Sequence, residues 1–397
     1  MIMKIFNRMK TGLSLLIVSA MLMVSCNKDL EQFPSTPAPV PTGSTIGETL
    51  RNTDTDSLFY RLILKSGTAT LATLNNAANR YTLFVPDNNA MKIFINAASG
   101  GLIPLAAPDA VFSGFITANI SAANATSIVN YNIVPQIFTT AQIIHNFPNL
   151  ELPTSLLLVP TNPFARMRTY PSKNPSTGNY YLNNIPLVPP VDVLASNGVI
   201  HHTAVLVRPP SSFLWTRINA DADLTILKAG IERADSGYTV TTPGSLIGAL
   251  QNFGANLTVF APNNAAMKNF ISLITGGAIP TAAPDAVFIG FLNSANVTTR
   301  LVKGIIVYHI LGKRAYTVNI PTTPFATPTL LNGAVAAHPG LVLTATFTGP
   351  FVSALTVKGL GNATASNVLI NSAPNGSSDQ NYINGTLHKI DQVLRPQ

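Results

Sequence analysis

The chain has 397 residues, more than one ordinary domain at roughly 150 residues each, and it sets 46% hydrophobic residues against only 10% charged. Enough apolar surface is present to bury a core per domain, which excludes a disordered polypeptide, and the solvent-facing side must be built from Asn, Thr, Ser and Pro. The formal charge of +8 falls to +5 without Lys4, Arg8 and Lys10, and no Lys/Arg run provides the footprint of a nucleic-acid binder; the single cysteine, Cys26, excludes an intrachain disulfide and a Cys-rich metal site.

At the N-terminus, Lys4, Arg8 and Lys10 lead into an uncharged apolar run from Leu13 to Val24, and Ser25 precedes Cys26. Residues 1–25 therefore read as a secretory signal, whose apolar run is too short to span a bilayer. Met23-Val24-Ser25-Cys26 resembles a bacterial lipobox, in which small side chains admit the peptidase and the Cys26 thiol accepts the lipid. Asn27 stands where an inner-membrane retention signal usually has Asp, and with Lys28, Asp29 and Glu31 it is similar to the export tags of Bacteroidetes surface lipoproteins. The expectation is an outer-membrane lipoprotein displayed at the cell surface, with the lipid on Cys26 as its membrane attachment. Residues 26–44 read as a stalk, because the proline-rich stretch from Pro34 to Thr42 favours extended polyproline conformation.

Beyond the stalk the chain repeats itself. The segment Thr82–Lys92 recurs 176 residues later as Thr258–Lys268; Gly100-Gly101 maps on Gly276-Gly277, Pro104 on Pro280, and Ala106–Phe112 is repeated letter for letter at Ala282–Phe288. A period of that length means duplicated whole domains rather than a solenoid. Each copy closes alike, with Asn197-Gly-Val-Ile-His201 matched by Asn384-Gly-Thr-Leu-His388, now 187 residues apart. The second copy has thus gained 11 residues, and the Gly-, Pro- and Thr-rich stretches 160–190 and 320–380 are where loops would absorb them. Arg208-Pro209-Pro210 marks the boundary, giving one domain over 45–209 and another over 210–397.

Within each copy, Thr82–Val85 and Leu257–Ala261 are short runs of β-formers suited to a buried strand. Pro86 and Pro262 then lead into a helix, with Asp87 and Asn263 as N-caps and Ala90, Met91, Phe94 and Ile95 at helical spacing on one face. The repeated Ala-Ala-Pro-Asp-Ala-Val-Phe block starts another helix. Later, Leu156–Val159, Leu341–Phe347 and Leu355–Val357 alternate or run apolar as strands. Helices early and strands late argue for an α+β fold.

Three ordered landmarks carry a family resemblance. The strand-turn-helix Thr258–Met267 resembles the first signature box of fasciclin domains, and Asn197–Leu206 and Asn384–Leu394 look like the second, Asn-Gly-x-Ile-His followed by a Val-Leu strand. Between them, Val307-Tyr308-His309-Ile310-Leu311 resembles the family's Tyr-His motif. The resemblance covers both copies. It implies two tandem β-wedge domains of about seven strands decorated by helices, and a role in adhesion to polysaccharide, matrix or cell-surface protein. It points to Tyr308 and His309 as an adhesion contact, with Tyr131 the counterpart in the first copy, where Asn132 replaces the histidine. A glycan-binding accessory lipoprotein of an outer-membrane polysaccharide uptake system is the alternative.

The residues themselves leave a second reading of Tyr308-His309 open, in which the ring packs between Val307 and Ile310 and the imidazole binds backbone. His201 and His388, at one place in both copies, read as a structural hydrogen bond closing the domain; a shared metal site is not expected, because the close second ligand, His202, has no histidine partner in copy two. No cofactor is implied. The six histidines show no recurrent Ser or Asp/Glu partner, and neither a Gly-x-Ser-x-Gly elbow nor a phosphate loop occurs, so an enzyme is not expected.

Overall fold

The computed structural model describes residues 43–397. The signal segment 1–25, Cys26 and nearly all of the stalk lie outside the described residues.

In copy one, a capped helix at Ile46–Arg51 and helices Ser57–Ser66 and Thr68–Asn75 precede β1, Tyr81–Pro86. Helices Asn88–Ala98, Asp109–Asn119 and Ala122–Tyr131 follow, then β2 (Ile133–Val134), β3 (Leu152–Leu157), β4 (Arg166–Thr169), β5 (Pro171–Lys173), β6 (Tyr180–Leu182), β7 (Ile185–Ala195) and β8 (Gly198–Thr203). Copy two repeats this order. Helices Leu214–Ala220, Thr225–Ala234 and Leu246–Gln251 lead to β9 (Leu257–Pro262), and helices Asn264–Ile274, Asp285–Leu292 and Thr299–Tyr308 follow. Its later strands are β10 (Ile310–Leu311), β11 (Phe325–Thr327), β12 (Leu341–Thr348), β13 (Phe351–Lys358), β14 (Ser366–Asn367), β15 (Gln380–Tyr382) and β16 (Gly385–Ile390). The fold is α+β, as expected, with eight strands per copy counting the two-residue strands β2 and β10, close to the about seven that the resemblance implies.

The local signals act as expected at both helix starts. Asp87 accepts from the Ala90 amide at 2.8 Å and Asn263 from the Ala266 amide at 2.9 Å, each satisfying an orphan donor of the first turn. At the repeated block the proline is the residue before the helix, and the next residue, Asp109 or Asp285, meets a lysine of the preceding helix, Lys92 at 2.6 Å or Lys268 at 2.7 Å.

The two signature segments of each copy pair with one another at the centre of the sheet. Strand β1 runs parallel to β8, Tyr81 opposite Gly198, and β9 runs parallel to β16, Leu257 opposite Gly385. Sheet order is β2-β1-β8-β7-β6-β5 in copy one and β10-β9-β16-β15 in copy two. The remaining strands form the β3-β4 pair and the four-stranded β11-β12-β13-β14 sheet, whose eight-residue hairpin strands are the lengthened part of copy two. Helices cover one side: Phe59, Leu62, Ile63, Met91, Phe112 and Ile116 pack on β1 and β8 residues in one core, and Leu227, Ile231, Val302 and Ile306 pack on β9 and β16 in its counterpart.

Candidate functional site

The Asn-Gly pair that opens β8 and β16 has a steric and a polar cause. A Cβ on Gly198 would stand 2.0 Å from the Tyr81 carbonyl, and one on Gly385 would stand 2.4 Å from that of Leu257, so only glycine lets the parallel strands close. The asparagine before it ties the sheet to the N-terminal helices. Asn197 accepts from the Ile46 amide at 2.8 Å and donates to Leu74 at 2.7 Å, while Asn384 accepts from the Leu214 amide at 3.0 Å and donates to Ala249 at 3.3 Å. Upstream, Pro86 and Pro262 end β1 and β9 as buried residues opposite Thr203 and Ile390, fixing the chain direction before the capped helix.

His201 and His388 lie on the central strands and do the same work twice. His201 Nε2 donates to the Phe138 carbonyl at 2.8 Å and its Nδ1 accepts from the Asp192 amide at 3.3 Å; His388 Nε2 donates to Ala315 at 3.0 Å and its Nδ1 accepts from Asp379 at 3.2 Å. The rings stack on Phe84 and Phe260. Both neighbouring aspartates occupy the left-handed region and turn their carboxylates to a threonine, Thr140 or Thr317. The recurrent aspartate thus meets the histidine through its backbone amide and not its carboxylate, and the sequence carries the pairing as a nine-residue spacing from Asp192 to His201 and from Asp379 to His388. With both ring nitrogens engaged by backbone, His201 is fixed as the neutral imidazole, and burial holds it below its ordinary pKa.

The adhesion contact expected of Tyr308, His309 and Tyr131 requires correction, because all three are buried. His309 is 1% exposed; its Nδ1 donates to the Ile305 carbonyl at 2.8 Å and its Nε2 accepts from the Leu394 amide at 2.9 Å, joining the end of a helix to the chain's last segment. Burial lowers its pKa to about 4. The Tyr308 hydroxyl donates to Gly340 at 2.7 Å and accepts from Leu360 at 3.0 Å, against the edge of His338. In copy one, Tyr131 bonds Arg168 and Asn183 in the same manner, and burial raises its pKa to about 12. Asn132 replaces His309 by donating to Ile128 and Val207, both at 2.8 Å. The motif fastens each copy internally; its side chains have no surface left for a partner.

One step along the closing strand, each copy buries a cation against carboxylates of an N-terminal helical turn. Copy two uses Lys389, 2.9 Å from Asp221 and 3.1 Å from Asp223. Copy one uses His202, whose Nε2 lies 3.1 Å from both oxygens of Asp56 and whose Nδ1 lies 2.7 Å from the Pro190 carbonyl. Both nitrogens thus face acceptors, the geometry of a protonated ring. Burial opposes that charge, but Asp56, the Pro190 carbonyl and nearby Asp87 outweigh it and leave the pKa raised.

The two copies meet over a shared core. Tyr170 and Tyr181 of copy one pack with Phe260, Tyr308, Tyr316 and Leu394 of copy two, and Phe147 meets Phe325 edge-on at 5.2 Å. At its centre is Arg314, 2% exposed, with its guanidinium 4.5 Å from the Tyr170 ring centroid. It donates to Asn256 at 2.8 Å, Asn381 at 2.5 Å and the Ile383 carbonyl at 3.2 Å; Asn256 also binds Tyr170 and Glu151 across the junction. This anchor was missed because its counterpart in copy one, judged by the paired Thr82 and Thr258 contacts, is the exposed Ile137, so the repeat gave no hint. Among the described residues no three of His, Cys, Asp and Glu converge as metal ligands, and no helix is long and apolar enough to cross a membrane.

The fasciclin-domain model matches residues 56–207 and again residues 238–396. No curated protein matches the chain. Among solved structures, a FAS1 domain pair from the insect cell adhesion molecule fasciclin I is similar, at 15% identity over 85% of this chain and 95% of that one, with a TM-score of 0.33. The two family matches span most of the sequence and fall on the duplicated unit with its paired signature strands: the chain belongs to the fasciclin-domain family and carries two tandem copies of the domain.

Proposed function

We propose that this chain is a non-catalytic adhesion protein of the cell surface, anchored by a lipid on Cys26, that holds the cell to extracellular polysaccharide or to matrix or cell-surface protein. The observation that carries the reading is the pair of fasciclin domains, a module typical of adhesion-related proteins. The packing of the two copies on one another, with Tyr170 of copy one against Arg314 and Asn256 of copy two, supports it, because a joined pair presents two loop-rich surfaces together and gains avidity without a tight single site. Five of the six histidines, His201, His202, His309, His338 and His388, have both ring nitrogens engaged, which leaves them unable to act as general bases without breaking the fold.

Protease treatment of intact cells tests the placement. Removal of the folded part from unbroken cells is the expected result, and full protection while a known surface protein is cleaved counts against surface display. Retention of the purified mature protein on immobilised polysaccharide or matrix protein tests the adhesion half, and no retention on any of them would sink it.

A further inference from the structure

On one side of the junction, a groove of about 260 Å³ runs between the copies, lined by Phe164, Phe253 and other apolar groups and by Arg166, Arg168, Glu151 and Tyr170. Phe164, in the turn between β3 and β4, is 92% exposed, and Phe253, in the turn before β9, is 52% exposed. Large apolar rings so open to water serve no core, and two of them flanking one groove, one from each copy, mark a contact surface rather than scattered surface hydrophobes. The same lining carries charged groups. Arg168 pairs with Glu151 at 2.8 Å, Arg166 donates to the Thr154 carbonyl at 3.2 Å, and each guanidinium keeps further N–H donors available.

We propose that this groove binds sugar rings of an extracellular polysaccharide, the phenyl faces taking the C–H face of the rings and Arg166, Arg168 and Glu151 taking their hydroxyls. An apolar peptide side chain would use the phenyl rings but leave the spare N–H donors of Arg166 and Arg168 without acceptors, whereas a sugar offers an apolar face and a hydroxyl edge together. The volume sits near the lower end of small-molecule sites, enough for a short stretch of a longer chain. Neither copy holds the site alone. The turn of copy one that corresponds to Phe253 lies at Asn76–Ala78, with no aromatic residue, so the tandem arrangement itself creates the site. The choice of polysaccharide as ligand rests on the adhesion reading above.

The test titrates the mature two-domain protein with xylohexaose, laminarihexaose and hexagalacturonate by calorimetry. At least one is expected to bind. F164A and F253A should each weaken binding about tenfold, with the thermal midpoint unmoved because both rings are exposed. F164W should keep binding, and its emission should shift to the blue when sugar covers the ring. No binding of any of the three by wild type, or binding by F164A and F253A as tight as wild type, overturns the assignment. Retention on gelatin that the same substitutions abolish, with no sugar bound, also overturns it but leaves adhesion standing. Sugar binding lost in F164A, alongside normal attachment of cells that lack the protein, supports the groove and removes the adhesion reading.

Discussion

At the residue scale, the two copies use the same positions with different chemistry, and the difference predicts how each responds to pH. His202 is raised above its ordinary value of 6.5, so its contribution is fully present below that value and is lost as pH rises through the higher folded pKa. Copy two has a lysine, Lys389, at the same position. Urea midpoints measured at about pH 6 and about pH 9 should therefore fall for wild type and fall less for H202K, which copies the lysine; equal falls would contradict the assignment. His309 has the opposite sign. Its folded pKa of about 4 means that the unfolded chain takes up a proton between the ordinary 6.5 and 4 while the folded chain does not, so stability drops as pH falls through that window. H309N, which imitates Asn132, should remove this acid sensitivity, and H309A should cost about 1–3 kcal/mol by leaving the Leu394 amide unpartnered. Some of this was legible. The nine-residue Asp-His spacing stands in both copies, but Asp56 and His202 are 146 residues apart, and nothing local announces that pair.

At the element scale, the strands and helices with a strong local cause were the readable ones. Asp87 and Asn263 cap as their side chains dictate, and the apolar run Leu257–Ala261 lies within β9. Strands β5, β6 and β14, of two or three residues, carry too short a pattern and exist because the chain on either side is held. The Asn-Gly pair was legible as a repeated motif but not as a mechanism, since the carbonyls that exclude a Cβ belong to strands over a hundred residues away. G198A is expected to cost more than about 3 kcal/mol, because the Tyr81 backbone cannot retreat without breaking the parallel ladder. G114A, whose Cβ meets open space inside a helix, should be neutral or stabilising by up to about 1 kcal/mol. Thermal denaturation of the two variants checks the contrast, and a mild G198A would mean that the strands are not held as tightly as described.

At the scale of the whole molecule, the duplication was plain in the sequence, whereas the joining of its halves was not. A repeat predicts two like units; the junction rests on residues that break the repeat, Arg314 against Ile137 and the Tyr170 ring on which the guanidinium lies. Replacing Arg314 with Ala removes the guanidinium that lies on the Tyr170 ring of copy one and the donor that holds Asn256 where it binds Tyr170 and Glu151. Calorimetry should then resolve two transitions where wild type shows one, and a single unshifted transition would mean that the copies are coupled by other contacts. The Tyr-His segment shows the reverse lesson: the motif was visible, the resemblance implied a contact, and burial decides for the packed, backbone-bonded alternative that the residues had left open. The proposed function requires attachment at one end and contact at the other, so on that proposal both must matter to the cell. The most direct measurement is retention, under flow on polysaccharide-coated or matrix-coated surfaces, of cells carrying wild type, no protein, or C26S. Wild-type cells should be held, and the deletion and C26S cells should both wash off; deletion cells held as firmly as wild type on every surface would contradict the account.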